Sequence, residues 1–129
     1  MTKILYSTGI TPSIKISGHA GAKRVSGCDL CCAAESMLAY TLIENIYRYN
    51  LKKYEIYIYD GYVYVRFKVN SIKSLCALIS FKTIINGFKL LKKKYPENVF
   101  IQKQKEVEFD EQIFNWFKIR YVLFKTIYK

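Results

Sequence analysis

One histidine, two prolines and ten acidic residues are all that this 129-residue chain carries of those types, and each shortage excludes something. A single imidazole cannot build a multi-histidine metal centre, and it leaves His19 as the one candidate general base of that kind. With only Pro12, Pro96 and six glycines there is no Pro/Gly-rich linker, and no internal repeat or low-complexity tract divides the chain. No apolar run reaches the roughly 18 residues of a membrane span. Lys73, Lys82 and Lys89 interrupt the best candidate, so no membrane partner is expected. Residues 1–10 lack a charged segment followed by an apolar run, so no secretory signal is expected either. The expected compartment is the cytoplasm, where the four cysteines stay reduced and are thiols, not a disulfide framework.

What is present is enough for one core. A hydrophobic share of 51% with 24% charged residues excludes wholesale disorder. The 21 basic residues leave a net charge of +11, which suits a nucleic acid, an anionic surface or acidic partners. A lysine-rich solvated surface explains the same number, because the lysines are scattered or lie at helix C-terminal ends.

Residues 3–8 and 13–17 read as two short strands, with Ile14 and Ile16 alternating with polar neighbours. From about Asp29 to Tyr49 the period becomes helical, with Leu30, Ala33, Ala34, Met37, Leu38, Leu42, Ile46 and Tyr49 as its apolar stripe. Asp60-Gly61 between two alternating runs predicts a hairpin over 53–69 with a type I′ turn. Its inner face is Ile56, Ile58, Val63, Val65, Phe67 and Val69, and its outer face is rich in tyrosine. That outer face is solvated, covered by the tail, or an oligomer contact. It also resembles a base-stacking sheet with a basic rim, although cross-strand aromatic pairing explains it without a ligand.

Ser71 caps a second helix that ends before Pro96, with Leu75, Leu78, Ile79, Ile85, Phe88 and Leu91 as its stripe. Residues 98–102 close the sheet. The expected fold is α+β: two layers, an antiparallel or mixed sheet of about five strands with two long helices on one face. Residues 1–102 form that domain, and 103–129 are an aromatic extension that docks on the domain or on a partner.

The stretch Gly18–Ser36 holds the histidine, three of the four cysteines and three of the six glycines. A thiol in the first turn of a helix is favoured as thiolate by the helix dipole, and cysteines so placed titrate at roughly 3.5–7.5. Cys32 falls at the third helical position, with Asp29 three residues back and Ser36 four residues on along the same face. With His19 on the preceding loop, this is a nucleophile–base pair. A buried structural cysteine and a capping aspartate are the bland readings of the same residues. Cys28-x-x-Cys31 lacks the further ligands of a zinc site, so neither metal nor cofactor is expected.

Gly18-His19-Ala20-Gly21, followed by Gly27-x-Asp29-Leu30-x-Cys32-Ala33-Ala34-x-Ser36, resembles the signature of the bacterial ribosomal-processing cysteine proteases. The resemblance covers about residues 1–102. It implies a cysteine endopeptidase with Cys32 and His19 as catalytic residues, and Asp29 and Ser36 in support. It also implies a substrate loop containing Gly21, Ala22, Lys23, Arg24 and Gly27. The implied substrate is the N-terminal extension of a large-subunit ribosomal protein or of a phage capsid or scaffold precursor. A homodimer and ribosome association are the implied partners. Two departures stand out: the stretch between His19 and Asp29 is one residue longer than usual, and Glu35 occupies a position that is usually apolar. The alternative function is a catalytically inactive relative acting as a basic RNA- or ribosome-binding module.

Overall fold

In the computed structural model, residues 1–110 are described. The elements run β1 (Thr2–Ser7), β2 (Ser13–Ser17), α1 (Leu30–Arg48), β3 (Tyr54–Tyr59), β4 (Tyr62–Phe67), α2 (Ile72–Lys94) and β5 (Val99–Lys103). They build the expected mixed sheet, in the order β3-β4-β2-β1-β5. Three neighbouring pairs are antiparallel, and β5 joins parallel to β1 with Thr2 opposite Val99.

Both helices cover one face of the sheet. Ile4, Ile14, Val65 and Phe67 of the strands meet Leu42 and Ile46 of α1 and Phe81 and Phe88 of α2 in one core. The Phe67 and Phe81 rings meet edge-on with centroids 5.9 Å apart, and burying each contributes on the order of 1.5–3 kcal/mol. Between α1 and α2 the Leu38 side chain packs directly on Gly87, its Cδ2 2.7 Å from where a Cβ would stand.

The helices are rotated relative to the stripes that periodicity suggests. On α1, Leu30 and Met37 are 49% and 68% exposed, and the buried residues are Cys31, Glu35, Ala39, Leu42, Ile43 and Ile46. Periodicity places a glutamate outside, whereas Glu35 is buried because Thr2 and Cys31 donate to its carboxylate. On α2, Leu75 and Ile79 are 49% and 63% exposed, while Ser74, Ala77, Phe81 and Ile84 turn inward. Ser74 goes inside because its hydroxyl completes the capping box with Ser71. α2 does satisfy the length and hydropathy of a membrane span, with a mean hydropathy of 1.4 despite its lysines. In this fold it packs on the sheet.

The second face of the sheet is covered by the chain leaving β5. Val107 and Phe109 pack on Leu5, Tyr57, Tyr59, Tyr62 and Tyr64. Phe109 stacks on Tyr57 at 4.2 Å, and the Tyr64 hydroxyl donates to the Val107 carbonyl at 3.1 Å. Of the three readings of the tyrosine face, the tail cover is the one observed. The aromatic positions 114–128 of the extension lie outside the described residues.

Candidate active site

The first turn of α1 is set by Asp29. One carboxylate oxygen accepts the Cys32 amide at 2.9 Å and the other accepts the Ala22 amide at 3.1 Å. Asp29 therefore caps the helix and fastens the incoming loop to it, and both oxygens are engaged by backbone. The Asn98 side chain, in the turn before β5, holds the same loop, donating to the Ala20 carbonyl at 3.0 Å.

His19 follows directly on β2. The Gly18 amide donates to the Gly61 carbonyl at 2.8 Å, tying the loop to the β3–β4 turn. The imidazole lies against Gly61, where an added Cβ would be 2.9 Å from Nε2. Gly61 has φ +68° while Asp60 stays out of the left-handed region, so the turn is not the expected type I′, which needs both residues there.

These elements enclose a cleft of about 670 Å³. His19, Cys32 and Ser36 all line it, over an apolar wall of Ile16, Ala39, Ile58 and Val63. Cys32 is half-buried, and His19 and Ser36 are exposed. Gly21, Ala22, Lys23, Arg24 and Gly27 do not line it. Ala22 is buried under Asp29, and the rest of that loop closes on itself through mutual Val25–Cys28 backbone bonds and an Arg24 bond to the Gly27 carbonyl.

The adjacent thiol has the opposite character. Cys31 is fully buried, with Sγ 3.6 Å from Glu35 Oε1. Burial, and then the Glu35 carboxylate, push its thiol up to about 12. Burial also raises the Glu35 carboxyl above its ordinary range, partly offset by the hydrogen bonds from Thr2 and Cys31. Protons are thus held more tightly in the folded state, so the glutamate's stability contribution is full below its unfolded value of 4.5 and declines as pH rises above it. Glu35→Gln should flatten that decline. Urea unfolding from pH 4 to 7 checks it, and an identical pH slope in both proteins would refute the assignment.

Sequence reasoning missed two parts of the cleft. Gly61 reads as a turn residue, and nothing local reveals that it also makes room for an imidazole. Glu35 reads as a misplaced surface charge. Together with Asp60 it gives the cleft of this +11 protein a lining whose acidic groups are unmatched by any lysine or arginine.

A half-buried thiol at a capped helix start thus shares a cleft with an imidazole, the two groups that a cysteine nucleophile and its base require. The comparisons narrow the reading. Residues 1–100 match the family described as cysteine protease Prp, and the chain belongs to that family. The fold is similar to a Staphylococcus aureus ribosomal processing protease Prp in complex with a covalently linked product peptide. The TM-score is 0.68 at 19% identity, over 81% of this chain and all of the other. The same protease with a substrate peptide gives 0.65 at 16% identity, over 81% and 100%. SMU.848 from Streptococcus mutans gives 0.54 at 26% identity, over 80% and 93%. No curated protein matches the sequence.

Proposed function

We propose that this chain is a cytoplasmic cysteine endopeptidase that removes a short N-terminal extension from a ribosomal protein or a phage capsid or scaffold precursor. The observation that carries this reading is the opening of Cys32, third residue of α1, into the cleft that His19 lines. Binding of substrate and product peptides by the S. aureus relative supports a peptide as occupant.

In this mechanism His19 takes the thiol proton, and Cys32 Sγ attacks the scissile carbonyl. His19 then gives the proton to the leaving amine, and water hydrolyses the thioester. Ser36, one turn along the same face, offers a hydroxyl to the bound backbone. Asp29 acts through Cys32 by fixing the helix start. The Cys32 amide is already donated to Asp29 Oδ1 and the Ala33 amide to the Asp29 carbonyl, so the oxyanion is held by other donors. The apolar wall suits the aromatic end of such an extension.

The test is incubation with a panel of aromatic-ended extension peptides, read by mass spectrometry. One defined cut made by the wild type and not by Cys32→Ala is expected. No cut in any peptide would refute the proposal.

A homodimer belongs to the same reading. Ile72, Leu75, Ile79 and Leu90 form an exposed apolar stripe on α2, which supports a self-association surface. Sedimentation should show a dimer that Leu75→Glu/Ile79→Glu converts to a monomer, and a monomeric wild type would end the idea.

A further inference from the structure

At the end of the β3–β4 hairpin opposite its tip, Lys52, Lys53, Lys68 and Lys73 line a cavity of about 500 Å³ together with the polar groups of Asn70 and Ser71. No carboxylate lines that cavity. All four lysines are exposed, and among the described residues none is in an ion pair. Lys52, Lys53 and Lys68 also face an adjoining hollow that adds Arg66, with Glu55 as its one acidic group.

The placement of these charges is informative. Lys52 and Lys53 follow the C-terminus of α1, where cations are favoured, and need no ligand to explain them. Lys73 is different. It sits in the first turn of α2, the end where a cation is opposed by the helix dipole, and that turn contains no acidic residue. Lys68 adds a further like charge beside it. A bound anion converts this local repulsion into attraction.

We propose that this end of the hairpin is a second binding surface, separate from the peptide cleft, that takes the phosphate backbone of RNA. The Asn70 and Asn50 side chains supply hydrogen-bonding groups for phosphate and ribose oxygens. Tyr54, 37% exposed in the adjoining hollow, offers a ring face to an unpaired base. The cleft touches the hairpin at Ile58–Val63, and the lysines lie at its other end. The five residue steps from Ile58 to Lys53 separate the two by about 16–17 Å, so RNA and peptide can be held together. The choice of RNA among polyanions rests on the proposed ribosomal substrate; the arrangement of lysines does not.

The experiment measures binding of a fluorescein-labelled RNA hairpin to the full chain across a salt series. It compares the wild type with Lys53→Gln/Lys68→Gln/Lys73→Gln and with Lys82→Gln/Lys93→Gln/Lys94→Gln, which removes the same charge elsewhere. The site variant should bind at least about tenfold more weakly at low salt, with the slope of log K against log salt reduced by about 2. The control variant should stay close to wild type, and peptide cleavage should be unchanged in both.

Failure of the wild type to bind RNA, or equal losses in the two variants, would overturn the proposal. So would displacement of the RNA by substrate peptide, or by inorganic phosphate at matched phosphate concentration. Binding to phosphatidylglycerol vesicles in place of RNA would assign the surface to a membrane instead. RNA binding without peptidase activity would sink the proposed function and leave this inference standing, whereas cleavage without RNA binding would do the reverse.

Discussion

Cys32→Ala is expected to lower peptide cleavage by roughly 10⁴–10⁶-fold, the scale on which loss of a nucleophile acts. His19→Ala should cost a comparable factor while leaving Cys32 in place. The two variants separate attack from proton transfer through thiol chemistry. An imidazole paired with a thiol stabilises the thiolate, whereas an unassisted cysteine is only a few per cent ionised at neutral pH. Iodoacetamide labelling of Cys32 at pH 7 should therefore slow by about tenfold or more in His19→Ala. Peptide mapping supplies its own control, because Cys31, buried and with its thiol pushed up to about 12, should stay unlabelled in both proteins. Equal labelling rates at Cys32 with and without His19 would break the pair.

Gly61→Ala is the second large effect, and it acts on a residue that carries no functional group. A methyl group there would stand 2.9 Å from His19 Nε2, too close for the imidazole to stay where it is. The left-handed backbone at φ +68° adds about 1–2 kcal/mol of strain for a residue with a Cβ. Displacing a catalytic group by about 1 Å costs on the order of 10² in rate. We expect cleavage to fall by about that factor, with kcat carrying most of the loss, while Tm drops by only a few degrees. Asp60→Ala, at the neighbouring turn position, should leave His19 in place and stay within a few-fold of wild type. Equal effects of the two substitutions would mean that the turn itself, not the imidazole's berth, is what matters.

How far the sequence could be read depended on the range of the interactions. The hairpin, both helix caps and the position of Cys32 in α1 are local events. Asp29 bonds an amide three residues ahead, Ser71 and Ser74 bond each other, and such spacings are visible in the letters. Periodicity does not select the buried faces of α1 and α2, because each helix has apolar residues on more than one side. The decision then fell to polar groups, Glu35 and Ser74, whose partners cannot be seen in a periodicity. That His19, Cys32 and Ser36 belong together is suggested by the family resemblance, and the fold brings all three to one cleft. That the Asp-Gly turn presses on the histidine was not legible, since residues 19 and 61 meet only once the sheet has formed.

The parallel pairing of β1 with β5 has a consequence in time. Thr2 finds Val99, and Asn98 reaches back to Ala20, only after almost the whole domain has been synthesised. Contacts this distant in sequence form slowly, because the loop between them must be ordered first. A nascent chain therefore holds His19 and Cys32 long before Asn98 can tie down the loop between them. The cleft is therefore completed late, with the last strand.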